Sequence, residues 1–204
     1  MESKQELIDS MILRGALNTP HIIEAFKKVD RKYFVPESFE EYIYIDAPLP
    51  IGENQTISQP STVAFMIEKL EPGEGDKVLD IGSGSGWTTA LLCHIVGEKG
   101  SVTGVERMDE LVEQGEENLA KLQFGSHCRI QRAGEKLGLP GEQFDKILVS
   151  ASADEIPEEL FLQLKVGGIL VIPVRSSIFK FKKISEDNIE REEFYGFVFV
   201  PLIY

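Results

Sequence analysis

Residues 78–87 read VLDIGSGSGW. An apolar run carrying one acid, Asp80, breaks there into three alternating glycines at positions 82, 84 and 86. Glycine lets a backbone turn tightly and approach a ligand where a β-carbon would collide. In an open parallel sheet the ligand sits at the carboxyl ends of the strands, where strand order reverses, and the amides of the following helix face it. The stretch therefore reads as strand, turn and helix start of a ligand site.

The surrounding chain repeats that rhythm. KVLDIG (77–82) leads to a helix reaching about Val96, SVTGVE (101–106) to a helix reaching about Leu122, and CRIQRA (128–133), FDKILVSA (144–151) and GGILVIPV (167–174) follow as strands. This alternation predicts an α/β fold, a mostly parallel sheet with helices on both faces. The tail FYGFVFVPLIY (194–204) is aromatic and β-branched enough for a last, antiparallel strand, and the charged KFKKISEDNIEREE (180–193) reads as a solvated turn or edge segment.

Ahead of the sheet, residues 2–14 place Leu7, Ile8, Met11 and Ile12 on one helical face, and Thr19 with Pro20 supplies an N-cap and first position for a second helix through Val29. The prolines of YFVPESFEEYIYIDAPLPIG (33–52) predict extended segments wrapped over a core, Asp46 bracing a turn among them, and a helix resumes near Pro60 and stops by Pro72. Residues 1–70 are expected as a helical and substrate-cleft extension, and 71–204 as the ligand-binding core of a single domain.

With 204 residues and a net charge of −13, the chain has no basic surplus to displace counterions, so neither nucleic acid nor a membrane surface is an expected partner. The amino terminus lacks the apolar stretch of a secretion signal. Cys93 and Cys128, 35 positions apart, have no metal-like spacing and read as buried reduced thiols, which favours the cytosol. No metal site is expected.

Two ligands compete for the glycine turn. A dinucleotide fingerprint would put its third glycine at position 87, where this chain has Trp87. Glu106, at the end of SVTGVE and 20 residues past Gly86, suits ribose hydroxyls in either case. Asp80 discriminates: an acid before the turn faces a pyrophosphate unfavourably but suits an ammonium or sulfonium, and S-adenosylmethionine carries both.

RKYFVP (31–36), YIDAPLPIGENQTISQP (44–60), VLDIGSGSGW (78–87), the stretch 144–174 and FVPL (199–202) stand in the order and spacing of protein-L-isoaspartate O-methyltransferases, which the chain resembles over nearly its whole length. The resemblance implies a Rossmann-like class I methyltransferase fold, S-adenosylmethionine as cofactor, and isoaspartyl residues of damaged proteins or peptides as substrate, acted on by a monomer. It implies that Asp80, Gly82, Ser83, Gly84, Ser85 and Gly86 hold the methionine end, that Glu106 holds the ribose, and that Thr56, Ile57 and Ser58 lie over the reacting centre, with Ser58 on the substrate carboxylate; Arg107, next to Glu106, suits either a solvated position or a backbone contact to adenine. Ser58 equally suits capping the helix near Pro60. Trp87 reads as a packing residue at a helix start.

Three places depart from the family pattern. Ser61 stands where a histidine or aromatic residue is usual, so it is a candidate substrate contact. AGEKLG (133–138) replaces a Gly-Asp-Gly turn whose acid reads adenine, which leaves Gly134 and Glu135 as candidates for that role. The stretch between Val174 and Phe194 is short. Methylation of another carboxylate, in a modified peptide or small molecule, stays open on these grounds, as does a catalytically silent adaptor that keeps the cofactor fold.

Overall fold

The computed structural model describes residues 3–204; the start of the first expected helix at residue 2 lies outside them. Helix α1 (Lys4–Leu13) opens on a capping box in which the Ser3 hydroxyl accepts from the Glu6 amide and the Glu6 carboxylate accepts from the Ser3 amide. It buries Leu7, Ile8 and Met11. Helix α2 (Pro20–Lys28) begins at Thr19 as its sequence predicts, but the Thr19 hydroxyl donates to Glu68 at 2.6 Å instead of capping the helix. Two 3-10 turns, Arg31–Tyr33 and Glu37–Tyr42, lead to a hairpin of β1 (Leu49–Gly52) and β2 (Gln55–Ile57). Helix α3 (Pro60–Leu70) follows and ends at Glu71 in the left-handed region.

The sheet contains β3 (Lys77–Ile81), β4 (Ser101–Glu106), β5 (Cys128–Arg132), β6 (Phe144–Val149), β7 (Leu164–Val174), β8 (Ser177–Ser185) and β9 (Asn188–Tyr195). Their order is β5-β4-β3-β6-β7-β8-β9. The first five pair parallel and the last two join as an antiparallel hairpin at one edge. Order reverses between β3 and β6, which puts the glycine turn after β3 at the switch point.

Helices cover both faces unequally. Helices α1–α3, with α4 (Trp87–Val96) and α5 (Asp109–Ala120), share one buried cluster with Val78, Val102 and Ile130 of the sheet. The opposite cluster, built on Leu79, Ile81, Phe144, Ile147 and Leu170, is closed by the short α6 (Glu159–Leu162) and by the irregular segments beside it.

The structure narrows one expectation and corrects two. The charged stretch 180–193 is the β8–β9 hairpin: Lys180 stands opposite Glu192 and Lys182 opposite Glu190, so the charges that suggest a solvated segment are cross-strand partners. The aromatic tail contributes only Phe194 and Tyr195 to a strand. Beyond Gly196 it turns back, packs Phe197 on Phe65 with ring centroids 5.2 Å apart, and runs beside Ser152, whose amide donates to the Val200 carbonyl at 2.8 Å. Third, Cys93 on α4 and Cys128 on β5 are joined by a disulfide, with Cα atoms 6.0 Å apart. Spacing in sequence holds no information about which residues helix-on-sheet packing brings together, and the argument from reduced thiols to a reducing compartment loses its footing.

Candidate active site

Gly82, Gly84 and Gly86 take φ values of 80°, 51° and 88°, the left-handed region that disfavours other residues. At Gly86 a β-carbon would also lie 2.9 Å from Ile130 and 3.2 Å from the Gly115 carbonyl of α5. That close approach lets α5 brace the turn: the buried Asn118 side chain donates to the Ser85 carbonyl at 2.9 Å. From the next strand, the Glu106 carboxylate accepts from the Gly84 amide at 3.0 Å and from the amides of Arg107 and Met108 at 2.7 and 3.1 Å. Backbone donors thus fix Glu106 at the tip of β4.

A cavity of about 310 Å³ opens over this turn, within the usual range of small-molecule sites. Thr56, Ile57, Ser58, Gly82, Ser83, Gly84, Ser85, Glu106, Arg107 and Gly134 all line it, as their sequence reading expects. Asp80, Gly86, Glu135 and Ser61 are not in the wall. Asp80 is fully buried behind the turn, where Thr89 of α4 donates to its carboxylate at 2.7 Å and Ser150 lies at 3.5 Å. Burial pushes its carboxyl up to about 6, against the opposing pull of those two hydroxyls. Asp80 thus lies behind the turn, tied to α4 through Thr89, and does not line the wall. Glu135 is solvent-exposed, on a loop whose backbone is tied down instead by the buried Gln163, which donates to the Leu137 carbonyl and accepts from the Leu139 amide. Ser61 donates its amide to Asp46, which confirms Asp46 as a brace and leaves Ser61 away from the opening.

Among the described residues, two buried polar groups of wall residues find no partner, the Ser83 hydroxyl and the Trp87 indole nitrogen. Buried polar atoms are rarely left unpaired, so both favour a ligand with complementary groups. Trp87 also packs edge-on against Phe26, 5.7 Å between centroids, so the packing role read from sequence stands beside this unmet donor.

A second cavity of about 260 Å³ lies beside the first, and Thr56, Ser58, Ser150 and Val200 wall both. The helix α3 has its N-cap at Gln59 without a side-chain bond, so Ser58 is not its cap and lines both cavities. Sequence reasoning missed Ser150 and the stretch Val200–Tyr204, which closes the first cavity; FVPL is quoted from the tail, but its strand-like composition hides a return path to the site. Among the described residues no group of three or more His, Cys, Asp or Glu is placed to hold a metal ion, and no helix is long and apolar enough to cross a membrane.

The family model described as protein-L-isoaspartate(D-aspartate) O-methyltransferase matches residues 2–204. This chain belongs to that family. The Ignicoccus hospitalis protein-L-isoaspartate O-methyltransferase is 42% identical over 207 residues, covering 99% of this chain and 98% of its own. The Flavobacterium psychrophilum enzyme of the same name is 45% identical over 205 residues, 98% of this chain and 93% of its own. A Plasmodium falciparum family structure in complex with S-adenosyl-L-homocysteine superposes with a TM-score of 0.86 at 24% identity, covering 100% of this chain and 99% of that one, a likeness of fold.

Proposed function

We propose that this protein methylates the free carboxylate of L-isoaspartyl residues in damaged proteins, with S-adenosylmethionine as donor. The observation that carries the reading is the junction: one chamber over the glycine turn and a second beside it meet at Thr56, Ser58, Ser150 and Val200. A donor and a peptide can then react through a shared opening. The cofactor fits the residues present, because the unpaired Ser83 hydroxyl and Trp87 N–H stand by the turn and Glu106 offers a fixed carboxylate at the strand tip for ribose hydroxyls. When bound, S-adenosylmethionine supplies a methyl group on a positively charged sulfur.

The chain's own work is orientation. A carboxylate with an ordinary value of about 4 is ionised near neutrality, so no side chain has to remove a proton from it. In this reading Ser58, which is not the cap of α3 and lines both chambers, holds that carboxylate at the junction, and fixing its approach removes rotational and translational freedom beforehand. The tail's Val200 and the turn at Ser150 shield the opening from water, which favours a step that cancels opposite charges. Both chambers are built by one chain, so the reading is of a monomer acting on peptide, with neither nucleic acid nor membrane as partner. Ser61, which prompts a different acceptor in the sequence, lies outside both chambers.

The deciding experiment is transfer of labelled methyl groups to an isoaspartyl peptide and to its normal aspartyl twin. Labelling of the first and not the second is expected. Equal labelling of both, or of neither, overturns the reading.

A further inference from the structure

Arg31 is a charged side chain in an unusual place. It is 2% exposed, on the 3-10 turn that joins the N-terminal helices to the hairpin, and among the described residues no carboxylate is hydrogen-bonded to it. Its guanidinium donates instead to four backbone carbonyls: Ile43 at 2.7 Å, Ile45 at 3.2 Å, Ala47 at 3.0 Å and Ser58 at 3.2 Å. The central carbon of the same group lies over the Trp87 ring, 5.3 Å from its centroid. Burial pulls its pKa down to about 10, with Asp46 nearby acting the other way. It is still charged at neutral pH.

A rigid fork with five donors is the side chain that can bridge several acceptors at fixed angles. Here three of those acceptors belong to the stretch 43–47 and the fourth to Ser58, so one group ties two segments that are distant in sequence. Among the described residues nothing else hydrogen-bonds the Ser58 carbonyl. Trp87 stands directly after the glycine turn, so the stacking contact relates that pair of segments to the start of α4. Burying a cation among neutral acceptors is an expensive way to achieve packing alone, because apolar residues of similar volume fill space without the desolvation cost. We infer that Arg31 is a positioning residue for methyl transfer, one that sets the Ser58 wall of the junction at a fixed distance from the glycine turn. The inference rests on the reading of Ser58 under Proposed function.

Arg31→Lys keeps the charge but loses the fork, and Arg31→Met keeps most of the volume without either. Trp87 is the chain's single tryptophan, so its emission reports the contact, and its quenching by S-adenosylhomocysteine reports occupancy of the first chamber. For folded Arg31→Lys the expected result is cofactor-product affinity within about threefold of the natural protein, a shifted emission maximum, and kcat on the isoaspartyl peptide lower by about 100-fold with a raised peptide KM. Arg31→Met should repeat the pattern at least as strongly. Turnover within about twofold of the natural protein, or a loss of affinity as large as the loss of turnover, overturns the inference. So does failure of both variants to fold, which assigns Arg31 to stability alone. If the natural protein labels no isoaspartyl peptide, the functional reading fails separately. Arg31 is then judged by hydrogen exchange across 43–58: faster exchange with unchanged quenching supports the positioning role, and unchanged exchange overturns it.

Discussion

Replacing Asp80 by asparagine tests whether a carboxylate sealed behind the glycine turn supplies the field that a cationic donor needs. Its carboxyl is held at about 6 in place of the ordinary 3.8, raised by burial and to a lesser degree by Glu106, and lowered by the Thr89 and Ser150 hydroxyls. Between those values the folded protein keeps a proton that the unfolded chain has released. The stability this provides is therefore present at low pH and lost as pH rises through about 6. The full interval is worth about 3 kcal/mol, of which roughly half, about 1–2 kcal/mol, is crossed between about pH 5 and about pH 8. For a domain of this size that is about 3–6 °C in Tm. Asparagine does not titrate, so the Tm difference between the natural protein and Asp80→Asn isolates this group from the other carboxylates. The natural protein should gain that amount on the variant on going from the higher to the lower pH, read by circular dichroism without ligand. A positive ligand stabilises the ionised form, so affinity for S-adenosylmethionine should fall below about pH 6 in the natural protein and stay flat in the variant. A Tm difference that is the same at both pH values refutes the assignment.

Glu106→Ala should weaken S-adenosylhomocysteine binding by about 10- to 150-fold, because hydrogen bonds to a charged acceptor contribute about 1.5–3 kcal/mol; Trp87 quenching measures it, and unchanged affinity would place the ribose elsewhere. Ser58→Ala should slow peptide methylation by about tenfold while leaving that quenching curve in place, and the reverse pattern would assign Ser58 to the cofactor chamber. Reduction of the Cys93–Cys128 bond, or Cys93→Ala, should cost up to about 4 kcal/mol of stability for a closed loop of this length. Thermal unfolding with and without a reductant checks it, and identical curves would mean that the thiols are not paired in solution.

Much of this architecture was legible because parallel strands buried on both faces write themselves as short apolar runs, and KVLDI, SVTGVE and FDKILV do so plainly. Glu106 and the glycine turn were readable for the same local reason, since strand, turn and acid lie within one supersecondary unit. Asp80 shows the limit. Its position in the strand was evident, but whether its side chain lines a cavity or sits beneath one depends on Thr89, nine residues later on a helix. The tail and the disulfide were out of reach for a broader version of that reason: Val200 meets Ser152, and Cys93 meets Cys128, through packing that no local pattern encodes. For the hairpin at 177–195 the sequence leaves a solvated turn and an edge segment both open, because alternating charge is equally the mark of either.

The return path of the last residues has a practical corollary for protease sensitivity. A single cut near the exposed bend at Gly196 would detach the strip bearing Val200 and breach both chambers at one stroke, while the sheet upstream kept its hydrogen bonds. Donor retention and peptide capture would then fail together, in a molecule that by secondary-structure content still looked intact.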